Sequence, residues 1–308
     1  MDKALLEKIE KLKKEKDVVI LAHYYVDGQV QDIADFVGDS FALAKKASQV
    51  TQANILFCGV KFMGESAKVL NPEKTVAMPD IYADCPMAHM ATVEKIKEAK
   101  AKYDDLAVVC YVNSTEEIKE YSDVCVTSSN AQKVVGNLKE KNIYFVPDEN
   151  LARYIAKFMP EKNFIFNDGF CHVHKALTVE DVAKAREDHP DALILAHPEC
   201  VMATLDLVDY IGSTKQIIEY ATASDKKEFV IFSEMGVLHE LEKRNPDKKF
   251  YLSSHDQICP NMKKVTIDNV VTALERFNTP DIAETEIVLT PSQVEAAKTP
   301  LKRMLELS

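Results

Sequence analysis

Three cysteines recur at nearly even intervals: Cys85, Cys171 and Cys259 stand 86 and 88 residues apart. Each sits at the same kind of join. A short apolar run ends in a polar patch, and a cysteine then opens a new segment: Ile81-Tyr-Ala-Asp-Cys85, Asn167-Asp-Gly-Phe-Cys171 and Ser254-His-Asp-Gln-Ile-Cys259. Such a period reads as a chain built three times over. Other landmarks keep the same register. His23, Tyr111 and His197 each follow an apolar run and lie 88 and 86 residues apart. Ser40, Ser128 and Ser213 lie 88 and 85 apart, and Phe57, Phe145 and Phe232 lie 88 and 87 apart.

The apolar runs 17–22, 105–110 and 191–196 read as fully buried strands. After each come a second short strand, a hydroxyl before a helix, and two more strands with a helix between them. Strands alternating with helices imply parallel sheets. The expected fold class is therefore α/β: three similar domains with parallel sheets of about four strands, related by a pseudo-threefold axis around a central cavity. The expected units are 1–84, 85–170 and 171–265. A tail, 266–308, adds two helices expected to pack on the first unit. Leu5, Leu6, Ile9 and Leu12 give residues 2–15 helical spacing.

The net charge of −11 disfavours nucleic acid or an anionic membrane as partner, since both recruit basic patches. No stretch is apolar for long enough to span a bilayer. The first ten residues mix charges along an amphipathic helix, unlike a signal peptide. A cytoplasmic chain with reduced thiols is expected, and seven cysteines, an odd number, argue against a disulfide framework. Phosphate-binding loops of the G-x-x-x-x-G-K-[ST] and G-x-G-x-x-G types are absent, as is G-x-S-x-G.

In parallel sheets, function gathers at the carboxyl ends of strands. There the three units carry His23 and Tyr25, Tyr111 and Asn113, and His197 and Glu199. Three thiols brought to one point suit a metal. Zinc would need a fourth ligand, which His172 or His174 could supply. A 4Fe–4S cluster held by three cysteines would leave one iron open as a Lewis acid. Register singles out Cys85, Cys171 and Cys259. Cys110 and Cys125 read as ordinary strand residues, Cys58 stays open, and Cys200 falls outside the repeat. The equivalent positions of His23 and His197 favour function: donation to carboxylates or proton relay. Tyr25 and Tyr111 beside them are candidates for the same site. Glu199 could be a base or could orient His197. Ser40, Ser128, Ser213 and Thr214 read as helix caps whose turns also suit phosphate or carboxylate. His89, His189 and His239 read as ordinary polar residues, as does His172 outside the zinc alternative.

An ordered set of motifs then resembles one family. Ala22-His23-Tyr24-Tyr25, Gly38-Asp39-Ser40, Tyr111-Val-Asn113-Ser114, Thr127-Ser-Ser-Asn130, Gly169-Phe-Cys171-His-Val-His174, His197-Pro-Glu199-Cys200, Gly212-Ser213-Thr214 and Cys259-Pro-Asn-Met262 together are similar to quinolinate synthase, the A protein of NAD biosynthesis. The resemblance runs from about residue 17 to 275. It implies a triangular protein of three α/β domains with a 4Fe–4S cluster at one end of a central tunnel. There iminoaspartate and dihydroxyacetone phosphate condense to quinolinate, with loss of phosphate and water. The cluster ligands map onto Cys85, Cys171 and Cys259. The substrate site maps onto His23, Tyr25, Ser40, Tyr111, Asn113, Ser128, His197, Glu199, Ser213 and Thr214. An aspartate-oxidising enzyme is the implied source of the imine. Two departures stand out: Cys259 lacks the C-x-x-C-x-x-C setting of some relatives, and Tyr24 replaces an expected Asn. Rival readings of the same residues are a zinc hydrolase using the three cysteines and a histidine, and a metal-sensing binding protein.

Overall fold

The structure is a computed structural model that describes residues 2–253 and 257–308. Ser254, His255 and Asp256, the polar patch of the third join, lie outside the described residues. Twelve strands form three sheets among the described residues. The first holds β1 (Val18–His23), β2 (Phe36–Gly38), β3 (Asn54–Cys58) and β4 (Thr75–Ala77). The second holds β5 (Leu106–Tyr111), β6 (Val124–Val126), β7 (Asn142–Val146) and β8 (Asn163–Phe166). The third holds β9 (Leu193–Ala196), β10 (Tyr210–Ile211), β11 (Glu228–Phe232) and β12 (Lys249–Leu252).

The spatial orders are β2-β1-β3-β4, β6-β5-β7-β8 and β10-β9-β11-β12, so one topology is used three times. Every pairing within the sheets is parallel. Helices cover both faces, so inner strands such as β1 are buried along their whole length. In each sheet the chain order reverses beside the first strand of its unit. Ligands in doubly wound sheets bind outside the carboxyl ends at such a switch point. The expected fold class is therefore present: three similar α/β units.

The core is not divided in three. The first two sheets and the tail share one hydrophobic cluster. The third sheet has a separate cluster on each face, with Ile194, Ala196, Val230 and Phe232 on one and Leu195, Phe229 and Ile231 on the other. Tyr24 of the first unit is buried in the second of these, beside Leu195, Ile217 and Val237.

The tail was expected on the first unit. Its helix Ile267–Arg276 does pack against the helix Lys3–Glu15. The last helix, Pro291–Leu307, instead lies across the first two units, against Lys61–Leu70, Glu116–Glu120 and β6. Between them, Thr285 and Ile287 bond backbone to backbone with Met78 and Val76 and so cover the edge of β4.

Candidate functional site

As the chain leaves β1 and β9 it makes the same tight turn. The Tyr25 N–H donates to His23 Nδ1 at 3.1 Å, and the Glu199 N–H donates to His197 Nδ1 at 3.4 Å. With Nδ1 accepting, each neutral ring carries its proton on Nε2. Burial pushes both histidines down to about 3, against the raising pull of Glu199, so both are neutral at pH 7. His197 Nε2 lies 3.2 Å from Ser128 Oγ, joining the third unit to the second. Burial first, and the Glu199 charge second, raise Tyr25 and Tyr111 well above the usual phenol range. Both therefore remain protonated donors.

Tyr25 anchors a chain of contacts across units. Its hydroxyl lies 2.8 Å from Thr214 Oγ1 and 2.9 Å from Ser233 Oγ. Ser233 Oγ is 3.1 Å from His174 Nε2, and His174 Nδ1 is 2.7 Å from Glu199 Oε2. One set of donors satisfies every link: Tyr25 O–H to Ser233, Ser233 O–H to His174 Nε2, His174 Nδ1–H to Glu199. The His174 ring also stacks on His197 with centroids 4.6 Å apart. Burial works against the Glu199 carboxylate, but His197 and His174 outweigh it and hold the group below the usual range. Its second oxygen, Oε1, is buried with no partner among the described residues, and so is Asn113 Oδ1.

The three thiols arrive by one device. The N–H of Lys61, Glu149 and Met235 each donates, at 2.8 Å, to the carbonyl two residues before a cysteine: Ala83, Gly169 and Gln257. After each cysteine the chain turns helically, as Ala88, Lys175 and Lys263 donate to the Cys85, Cys171 and Cys259 carbonyls. None of the cysteines forms a disulfide. Burial, with Cys259 and Glu199 adding, pushes Cys85 up to about 12. Burial also raises Cys171, with Glu199 and Cys85 adding, and it raises Cys259. Turn N–H groups, including those of Met87, His174 and Met262, face the sulfurs and favour the thiolate. Thiolates are the donors that thiophilic metals take. His174 Nδ1 lies 3.2 Å from Cys171 Sγ, and Cys171, His174 and Glu199 have ligand atoms within 4.8 Å of one another.

All three cysteines line one cavity. His23, Tyr25, Ser40, Tyr111, Asn113, Ser128, His197, Glu199 and Thr214 line it too. Ser213 does not line it; it is fully buried behind Thr214, in a capping box with Gln216. The cap expected of Ser40 belongs to Asp39, which accepts from the Ala42 N–H at 2.9 Å. Ser40 thereby faces the cavity unspent. The cap expected of Ser128 is likewise absent, since its helix, Ala131–Gly136, has no side-chain cap.

Sequence reasoning missed four groups here: Asp39, Ser233, Glu234 and Lys263. Asp39 and Glu234 line the cavity, and Asp39 Oδ2 is buried without a partner among the described residues. Lys263 Nζ donates to the Tyr25 carbonyl at 2.8 Å and lies 3.3 Å from Glu234. His174 was weighed only as a zinc ligand. A signal for Glu234 existed: it stands 86 residues after Asp148, in register with the repeat. The remaining cysteines are buried, and Cys200 Sγ points to the Phe232 carbonyl. His89 pairs with Asp84, His239 with Asp32, and His189 stacks on Tyr251.

Comparison with known proteins gives the family. The family model described as quinolinate synthetase A protein matches residues 7–306. A quinolinate synthase of Fusobacterium nucleatum subsp. nucleatum is 54% identical over 302 residues, covering 98% of this chain and 99% of that protein. One from Caldicellulosiruptor saccharolyticus is 50% identical, covering 97% of each chain, and one from Clostridioides difficile is 46% identical, covering 94% and 95%. Matched over nearly its whole length by the family and by full-length relatives, this chain belongs to the quinolinate synthase A family of NAD biosynthesis.

Proposed function

We propose that the protein condenses iminoaspartate with dihydroxyacetone phosphate to quinolinate, releasing phosphate and water. The observation that carries this reading is the meeting of three free thiols, one from each unit join, with neutral histidines, protonated tyrosines and one carboxylate in a single cavity. Cys85, Cys171 and Cys259 would hold a 4Fe–4S cluster. When bound, it supplies an iron with an open coordination position that acts as a Lewis acid.

The chain's own groups divide the remaining work. The Nε2–H groups of His23 and His197 donate to substrate carboxylates without bringing charge. Thr214, Ser40 and Ser128 present hydroxyls to the phosphate and later to carboxylate, and Ser213 holds the turn that carries Thr214. Asn113 offers an unpartnered amide oxygen to a substrate N–H or O–H. Tyr25 gives and recovers a proton through Ser233 and His174, with Glu199 as the carboxylate at the end of that path. Tyr111, held protonated, donates to oxygen on which charge develops. The imine hydrolyses readily in water, so its supply falls to an aspartate-oxidising enzyme. The proposed location is the cytoplasm, where seven free cysteines stay reduced. No helix among the described residues is long and apolar enough to cross a membrane.

A zinc reading has one observation in its favour, the close donors of Cys171, His174 and Glu199. Both ring nitrogens of His174 already have protein partners, so it is not free to be the fourth ligand beside Cys85, Cys171 and Cys259. Anaerobic purification with iron, sulfide and zinc assays decides between them. The cluster reading expects about four iron and four sulfide per chain, lost in Cys171→Ala, and quinolinate formed from the two substrates. Zinc without sulfide, or a filled cluster with no quinolinate made, would sink it.

A further inference from the structure

Two buried carboxylates do a job beyond the site described so far. Asp148 is fully buried. Its Oδ1 accepts from the Leu151 N–H at 2.6 Å, capping the helix Glu149–Ala156. Its Oδ2 accepts from the Cys171 N–H at 3.2 Å. Glu234 is 1% exposed and repeats the arrangement one unit later. Its Oε2 accepts from the Gly236 N–H at 2.6 Å, at the start of the helix Val237–Arg244. Its Oε1 accepts from the Cys259 N–H at 3.1 Å. Each carboxylate thus ties a thiol-bearing turn to the helix entry opposite it, beside the backbone bond common to all three units.

The first unit breaks the pattern. Val60 lies 88 residues before Asp148, where the register calls for the first such group, and it offers no acceptor. The Cys85 N–H donates at 2.8 Å to Asp84, its own neighbour. Asp84 is 37% exposed, and its other oxygen goes to His89 on the same loop. That contact stiffens the loop internally without fastening it to the helix Lys61–Leu70.

We propose that Asp148 and Glu234 are positioning residues for the thiols of Cys171 and Cys259, and that Cys85 sits on the one ligand loop left without such a tie. The assignment rests on the cluster reading above. A ligand whose backbone is pinned returns to the metal after each transient opening, whereas a looser loop lets it leave. Removing one acceptor leaves a cysteine-turn N–H without its partner, so metal loss should speed about tenfold or more.

The test follows release of iron from anaerobically reconstituted holoprotein to an excess of chelator, without substrates, beside the electron paramagnetic resonance spectrum of the reduced cluster. Asp148→Ala and Glu234→Ala should each release iron at least about tenfold faster and broaden the spectrum. Asp148→Asn and Glu234→Gln keep one acceptor oxygen where the parent uses two, so each should release iron at a rate between the parent and its alanine variant. Asp84→Ala should change the rate less than either buried substitution. Thr178→Ala removes a helix cap bonded to Asp181 of its own helix and controls for simple loss of stability: it should lower the melting temperature and leave iron release unchanged. If an alanine variant fails to fold, the Asn and Gln variants decide: they should still release iron faster than Asp84→Ala, and release no faster than Asp84→Ala overturns the assignment. Parental release rates in folded Asp148→Ala and Glu234→Ala overturn the assignment, as does acceleration by Thr178→Ala equal to theirs. A parent protein that takes up no iron and sulfide overturns the cluster reading itself, and this assignment falls with it.

Discussion

Tyr25 concentrates the chemistry of single residues here. Its hydroxyl touches Thr214 and Ser233, and it is a protonated donor because burial and Glu199 both oppose ionisation. Tyr25→Phe should lower kcat by at least about 100-fold while iron and sulfide content stays at the parental level. A variant with parental kcat removes Tyr25 from the proton path. The two buried histidines give a second prediction, with its sign fixed by linkage. Both have folded-state values near 3 against the ordinary 6.5, so between those values the unfolded chain binds more protons. Stability is therefore lost as pH falls below 6.5. Glu199, whose value is also lowered, adds a loss of the same sign only once pH falls below the ordinary carboxylate range, and so does not enter at pH 5.5. At pH 5.5 each histidine costs about 1.4 kcal/mol, and together they should lower the melting temperature by roughly 5 °C. Calorimetry of the parent and of His23→Gln checks this: the variant should lose about half of the pH dependence.

At the scale of elements, turns and helix starts decide which side chains are free to meet substrate. Gly236 opens the helix Val237–Arg244, and a Cβ placed there would stand 2.7 Å from the Tyr24 carbonyl and from Tyr25 Cα. Both neighbours are backbone, so they cannot swing aside. Gly236→Ala should leave a folded protein whose activity falls roughly 100-fold, since small displacements of a reacting group cost that much. Near-parental kcat/KM would mean that the turn at residues 24–25 tolerates the shift. The strands themselves were legible from sequence, because apolar runs ending in polar residues are a local pattern. The distribution of caps was not. Asp39 and Ser40 are adjacent and rank alike as caps, so only the folded turn reveals that Asp39 takes the bond and leaves Ser40 to the cavity. The same holds for Ser233 and Lys263: their partners Tyr25 and His174 lie in remote segments, beyond any local rule.

The whole molecule is less symmetric than its sequence period. Two units share a core, whereas the third is packed around its own and is entered by Tyr24. This gives Tyr24, which no local pattern explained, a structural task. Tyr24→Asn should raise amide hydrogen exchange in β9 to β12 by about tenfold or more, with β1 and β3 little changed. Equal loosening of all three sheets would count against a separate third unit. The course of the tail was also hidden in the sequence: the helix Pro291–Leu307 looks amphipathic whichever neighbour it meets, and its bonds from Gln293 to Glu116 and from Arg303 to Asp123 help to fix the place. The division of the cavity wall among three units has a bearing on how the protein is made. Residues from His23 to Cys259 must all be present before any substrate or metal could be held. A ribosome-bound chain that has folded its first two sheets therefore displays two thiols and half a pocket, and the order of synthesis makes the complete cavity one of the last things the new protein acquires.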